Sequence, residues 1–228
     1  EITYTPSSEF SGNKIPAVRQ LVKNLKTVPG VGAASTYTFS YTSGDFDYVN
    51  RADLGFGEIT VTLPSIDGET QDKTIKTTYF TDHFSSAGLV STRKVQYGTT
   101  LYRETINSWN RVLTGNGPFR AQRDSEKVRT RHGNKIIEKN QEFEYDEHNN
   151  LTQLKDLGFA GTQDDSIVTN TYAKNTASYI VDKMTRSATK NGLSPAGLNP
   201  DSNWIYAEYM GYDGGSWQAT PSIGNATK

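Results

Sequence analysis

The chain has 228 residues, and its 24 basic and 25 acidic side chains leave a formal net charge of −1, which argues against nucleic acid or an anionic membrane surface as a partner. It contains no cysteine; disulfides and thiolate metal sites are excluded, and the bacterial cytosol and disulfide-free secretion both remain open. Hydrophobic residues make up 34%, while Thr occurs 28 times and Tyr 13 times, a balance that predicts a thin apolar core and an all-β fold.

The chain opens directly on Glu1-Ile2-Thr3-Tyr4, in the manner of a strand and without a charged-then-apolar leader, as expected of an internal piece of a longer polypeptide. No apolar run of about 18 residues offers a membrane-spanning helix. In Val18-Arg19-Gln20-Leu21-Val22-Lys23-Asn24-Leu25 the apolar residues fall at i, i+3, i+4 and i+7, so an amphipathic helix and a strand are equal readings there. Gly30-Val31-Gly32-Ala33-Ala34-Ser35 imitates a dinucleotide fingerprint, but Pro29 and an aromatic strand stand where a strand and a helix are required, which leaves a loop.

Thr36 to Tyr41 alternates strictly, with Tyr37, Phe39 and Tyr41 on one face and Thr36, Thr38 and Ser40 on the other, so one face packs and one is wet. Glu58 to Leu63 repeats the pattern up to Pro64, and Ile75 to Phe80 and Arg93 to Tyr97 follow. Turn signals separate these runs: Ser43-Gly44-Asp45, Asp67-Gly68, Ala87-Gly88, Gly115-Asn116-Gly117-Pro118, His132-Gly133-Asn134 and Asn191-Gly192. Their spacing predicts a meander of antiparallel hairpins. Charge-rich Asp124 to Glu142 permits a solvated helix, but Gly133-Asn134 bisects it and fits a hairpin turn better. Gly192, Pro195, Gly197 and Pro200 mark a long surface loop. Trp204 to Tyr209 alternates again after it, so residues 1–228 read as a single domain.

Tyr145-Asp146-Glu147-His148-Asn149-Asn150-Leu151-Thr152 reads as strand, tight turn, strand, because Asp and Asn bond their own backbone and tolerate positive φ. A copy begins at Tyr212-Asp213-Gly214, is split by Gly215 to Ile223, and resumes at Gly224-Asn225-Ala226-Thr227-Lys228. Repeated hairpins of this kind build a sheet by addition.

The block Thr36 to Asp47, followed by Arg51 and then Gly55-Phe56-Gly57-Glu58-Ile59, resembles the middle region of the B components of bacterial insecticidal toxin complexes. Its order is that of the family: aromatic strand, Gly-containing turn, aromatic-Asp pair, Arg, and Gly-Phe-Gly entering the next strand. Ile2 to Ser7 upstream, and Phe143 to Asp146, Asn150 to Thr152, Asp164-Asp165, Thr171-Tyr172 and Tyr179 to Val181 downstream, continue the likeness over nearly the whole chain. Its repeat unit is that of the wider Rhs or YD-repeat class. The resemblance implies a ribbon of hairpins, a curved open sheet forming a segment of a hollow β-shell that encloses a toxic effector polypeptide in a secreted or cell-surface assembly. It makes Val18 to Val28 a strand. Tyr145, Asp146, Asn149, Asn150, Tyr212, Asp213, Gly224 and Asn225 become turn formers, and strands from the rest of the shell are expected beside Ile2 to Thr5 and Tyr206 to Tyr212. The Asp-Pro-rich self-cleavage motif of relatives has no counterpart, Asn199-Pro200-Asp201 being an echo only.

Local chemistry points to no enzyme, metal or cofactor. His83, His132 and His148 lie in separate turns without ligand spacing, and His148 reads as a solvent-facing turn residue. No Gly-x-Ser-x-Gly elbow accompanies Asp82-His83. Asp164-Asp165 lacks the oxygen-rich spacing of a calcium loop and reads as a turn. Asn150-Leu151-Thr152 and Asn225-Ala226-Thr227 match the glycosylation pattern, a coincidence in a bacterial protein. The alternative function is a β-rich adhesion or carbohydrate-binding module, with Trp204 and Trp217 stacking on sugar beside Trp109, Tyr206, Tyr209 and Tyr212.

Overall fold

The computed structural model describes residues 1–65, 69–112, 120–159, 161–197 and 203–227. Among them there is no α-helix. Thirteen strands stand side by side in chain order in one antiparallel meander that does not close on itself, and a two-stranded ribbon follows. The all-β meander expected from the sequence is the observed fold. The residues gather in two compact units, Glu1–Ala121 with Lys127–Ile137, and Gln122–Glu126 with Glu138–Lys228.

The first unit holds β1 (Ile2–Pro6), β2 (Gln20–Thr27), β3 (Ser35–Asp47), β4 (Ala52–Thr62), β5 (Lys73–Tyr79), β6 (Val90–Tyr97) and β7 (Thr100–Val112), with parts of β8 (Arg120–His132) and β9 (Lys135–Tyr145). The helical spacing near Val18 is overridden: Leu25 stands opposite Ile2 on one side and Tyr37 on the other, and pairing along both edges decides for β2. Alternation in β3 then propagates. Phe39 faces Val61, Val61 faces Ile75 and Ile75 faces Val95, a half-buried apolar row one side chain deep. The opposite face carries Ser40, Thr60, Lys76, Lys94 and Glu104 in register. Ion pairs cross that face from Glu58 to Lys76 at 2.7 Å, and from Glu104 to Lys94 and to Arg129 at 3.2 Å each.

Ser43-Gly44-Asp45 is not the turn its composition suggests. β3 runs through it to Asp47, with Ser43 at φ +57°, and the reversal comes later, where Asp47 Oδ1 accepts the N–H groups of Val49 and Asn50. Gly44 serves a close approach: a Cβ there would meet Asn13 Oδ1, with Phe56 at 3.0 Å and Ile15 at 3.1 Å. The segment between β1 and β2 is strapped over this kink. Ser43 N–H donates to Ser11 O, Lys14 N–H donates to Gly44 O, and the Phe10 ring meets Tyr41 edge-on at 5.1 Å. Gly133-Asn134 joins β8 to β9 as expected, whereas Gly98, a turn glycine at φ +54° between β6 and β7, carried no strong dipeptide signal. The expected turns at Asp67-Gly68 and Gly115 to Pro118 lie outside the described residues.

The second unit contains β10 (Leu151–Asp156), β11 (Ser166–Asn175), β12 (Ile180–Asn191), β13 (Trp204–Tyr209), and the ribbon strands β14 (Gly211–Tyr212) and β15 (Ala226–Thr227). Its core is the β11–β12 face on which Ile167 opposes Lys190, Thr169 opposes Ala188 and Thr171 opposes Arg186. Ile167 and Ala188 are fully buried and Arg186 is 1% exposed. Residues after Asn191 fold back over that face, with Ala196 N–H donating to Thr169 Oγ1 at 3.3 Å and Gly192 N–H to Asp165 O at 2.8 Å. Phe143, on β9, is buried beneath the Arg123 guanidinium, 4.1 Å from the ring centre.

Candidate functional site

The first YD turn is organised by one carboxylate. Asp146 N–H donates to Asn150 O, while Asp146 Oδ1 accepts the N–H groups of His148 and Asn150, each at 2.9 Å. Asn149 takes φ +72°, the left-handed conformation that Asn tolerates. The Asn150 side-chain amide donates to Asp146 Oδ2 at 3.0 Å and to Val181 O at 2.7 Å, tying the turn to β12. Lys174 Nζ adds an ion pair at 3.0 Å. Burial opposes ionisation of Asp146, but the Asn150 side-chain and backbone hydrogen bonds together with Lys174 outweigh it and hold the carboxyl down to about 2.

His148 does not face solvent as expected. It is half-buried, its N–H drawn to Asp146 and its Nε2 lying 3.4 Å from Glu147. The amide nitrogen of Asn150, nominally a glycosylation acceptor, is engaged twice over.

The split copy has the same turn. Asp213 N–H donates to Asn225 O at 2.8 Å, Asn225 N–H donates to Asp213 Oδ1 at 3.0 Å, and Gly224 at φ +86° stands in the place of Asn149. The sequence separation is 12 against 4, so eight further residues are accommodated between Asp and Asn. Asp213 Oδ2 accepts the N–H groups of Ser222, Ile223 and Gly224 at 2.6, 2.9 and 3.0 Å. The Gly224 and Ile223 backbone bonds lead in holding its carboxyl well below the usual range. Farther along the insertion, Pro221 is buried and its carbonyl accepts Asn175 Nδ2 at 2.9 Å. Tyr212, like Tyr145, lies on the strand entering the turn, and its hydroxyl donates to Met184 O at 2.9 Å.

In the Gly-Phe-Gly block, Arg51 and Gly55 take φ +52° and +78°. Asp53 Oδ1 accepts Gly55 N–H at 2.8 Å and Asp53 Oδ2 pairs with Arg19. The Phe56 ring packs 5.2 Å from Tyr41. A Cβ on Gly57 would lie 3.1 Å from Ser43 Cβ. Of this block, Asp53 reaches the strap between β1 and β2 through Arg19, while Phe56 and Gly57 pack on β3 at Tyr41 and Ser43.

The aromatic residues do not form one platform. Trp109 Nε1 donates to Val90 O at 3.0 Å within the first unit. In β13, Arg186 opposes Tyr209, Ala188 opposes Ala207 and Thr189 opposes Tyr206, but Lys190 opposes Trp204. Ile205 is thus a bulge residue, and it turns Trp204 onto the face of Tyr209 and away from that of Tyr206. There the Arg186 guanidinium lies 4.9 Å from the Trp204 ring centre and 5.9 Å from that of Tyr209, while Trp217 meets Tyr209 at 5.0 Å. Arg186 also donates to the carbonyls of Ala196 and Gly197 at 3.4 and 2.5 Å. Its importance was missed in the sequence, where its one signal is a cation at the strand parity of Met184 and Ala188.

His83 Nδ1 accepts Ser85 N–H at 3.1 Å, and Asp82 bonds Ser86 and pairs with Arg111, which ties the connection between β5 and β6 to β7. Asp164 Oδ2 accepts Phe159 N–H at 2.7 Å and closes the link from β10 to β11. Among the described residues no three His, Asp or Glu side chains converge to hold a metal ion, and no helix is long and apolar enough to cross a membrane. Asn199-Pro200-Asp201 lies outside the described residues.

No family model and no curated protein matches the sequence. Solved structures do match in fold. The crystal structure of TcdB2-TccC3-Cdc42 superposes with a TM-score of 0.73 at 10% identity, over 99% of this chain and 17% of the matched one. That of TcdB2-TccC3 without its hypervariable C-terminal region gives 0.70 at 9% identity, over 99% and 17%. The Photorhabdus luminescens Tc holotoxin pore gives 0.69 at 10%, over 91% and 15%. The chain therefore spans about a sixth of the length of the chains it matches. At such identity the likeness is one of fold, and at that level it bears out the resemblance to toxin-complex proteins read from the residues.

Proposed function

We propose that this chain is a non-enzymatic wall segment of an Rhs/YD-repeat β-shell, whose enclosure holds a toxic effector polypeptide apart from its surroundings in a secreted bacterial assembly. The observation that carries this reading is the strictly sequential order of thirteen antiparallel strands, superposable over 99% of the chain on toxin-complex structures. A meander of this kind grows by adding hairpins, and the Asp–Asn turns keep the hairpins they close in register.

Growth requires partners at the ends of the strand order, which are β1 and β13. Ile2 and Tyr4 on β1, and Ile205, Tyr206 and Tyr209 on β13, are exposed. β13 carries neither Lys nor Pro, the residues that guard a solvent-facing edge. Strands of the remaining wall, from the same or a neighbouring polypeptide, fit beside both.

Electron cryomicroscopy of the protein as its natural host produces it tests the reading. The expected result is a hollow β-ribbon with this meander in its wall and a polypeptide inside that resists added protease. A free-standing domain with no enclosed chain would overturn it.

A further inference from the structure

Beside β13 and the split turn lies an open cavity of about 730 Å³, within the roughly 300–1,000 Å³ of small-ligand sites. Its wall includes Glu208, Tyr209, Gly211, Gly214, Gly215 and Trp217. Gly215 and Trp217 belong to the insertion that divides the second YD turn, so the residues that lengthen the turn also build the cavity. The insertion is held at both levels already described, by Asp213 on the backbone of residues 222–225 and by Asn175 on the Pro221 carbonyl, which presets the position of Trp217 before any ligand arrives.

The chemistry of the wall narrows the ligand. Glu208 is the one charged residue among the described residues that line the cavity, which disfavours phosphate, sulfate and other anions. The Trp217 and Tyr209 rings stand 5.0 Å apart and are tilted by 58°, in contact with each other, so no quaternary ammonium fits between them as in an aromatic cage. What the pair offers is an apolar aromatic surface beside glycine backbone, a combination suited to a ring with one C–H face and a rim of hydroxyls.

We propose that this cavity binds a neutral carbohydrate, a pyranose stacking on the Trp217–Tyr209 pair. A shell segment displaying the site outward gains a contact with glycosylated surfaces, and loss of the site leaves the meander intact.

The test uses the full chain on a printed glycan array, followed by calorimetric titration with cellotriose, chitotriose and maltotriose. Binding to a neutral oligosaccharide is expected, and Trp217→Ala is expected to weaken it about tenfold or more with the far-ultraviolet circular dichroism unchanged. In a Trp109→Phe/Trp204→Phe chain Trp217 is the single indole, and its emission is expected to shift on binding; this readout serves if Trp217→Ala fails to fold. Silence across neutral glycans, a preference for sulfated or sialylated ones, equal binding by Trp217→Ala, or binding without the emission shift would each overturn the proposal.

Discussion

Asp213 and Asn225, twelve positions apart, make the pair of bonds that Asp146 and Asn150 make at four, the Asp N–H donating to the Asn carbonyl and the Asn N–H to the Asp carboxylate. The turn is therefore defined by its two end residues and by a left-handed residue before the Asn, not by its length. Because the Asp213 carboxylate gathers the N–H groups of residues 222–225, Asp213→Ala is expected to release the insertion while the meander stays folded. Amide hydrogen exchange at Ser222, Ile223, Gly224 and Asn225 should quicken roughly fivefold to tenfold, the scale of a lost hydrogen bond, with the melting temperature little changed. Unchanged exchange there would show that Asn175 and Pro221 alone hold the loop.

Asp146 makes stability depend on pH. Its carboxyl is lowered from 3.8 to about 2, so the folded state favours the charged form. That contribution is complete above pH 3.8 and is lost as pH falls toward 2. The shift caps the effect at about 2 kcal/mol at neutral pH. Urea unfolding of wild type and Asp146→Asn should differ by up to that amount at pH 7 and converge near pH 2. A difference that persists undiminished in acid would rule out the charge as its source.

Asn149 tests the turn backbone. Its φ of +72° suits Gly and disfavours a β-branched side chain, which meets the backbone there at a cost of about 1–2 kcal/mol. Asn149→Ile should lower stability by that amount and Asn149→Gly should leave it nearly unchanged, measured by thermal melts. Equal stability of the two variants would mean that the turn relaxes to another conformation.

What could be read from the sequence divides along physical lines. Tyr37, Phe39 and Tyr41 announce β3 because alternation is a property of neighbours, and the Asp146 turn is legible because its donors and acceptors lie within a few residues. The kink at Ser43-Gly44 is not legible, since Gly44 is placed by Asn13 and Ile15, which approach from the strap. Nor is the orientation of Trp204, which depends on a bulge set by register with β12. Arg186 is hidden for the same reason: its burial follows from Ala196 and Gly197, which cross above it from a loop ten positions away.

Arg186 is almost wholly buried, and its planar fork reaches two carbonyls while stacking on Trp204 and Tyr209. Lysine keeps the charge but loses both the fork and the flat face. Arg186→Lys is therefore expected to cost about 1–3 kcal/mol and to raise hydrogen exchange at Ala196 and Gly197 first. Denaturant unfolding and exchange mass spectrometry read the two effects. Full stability with Lys would reduce the role of Arg186 to charge alone.

The edge of β13 bears most directly on the wall reading. Met210 N–H donates inward to Thr185 O, so by antiparallel alternation the backbone groups of Ala207 and Tyr209 point outward, free to pair. Tyr206, 57% exposed, stands on the same strand. A lysine there desolvates poorly when a second strand docks, which is how natural edges resist association. Sedimentation velocity over a concentration series is expected to show wild type self-associating and Tyr206→Lys shifted toward monomer, while the melting temperature changes little because Tyr206 packs against little. If wild type is a monomer throughout and a synthetic peptide of alternating Val and Thr adds no mass to it, β13 does not accept a strand, and the proposal that this sheet continues into a larger wall loses its physical basis.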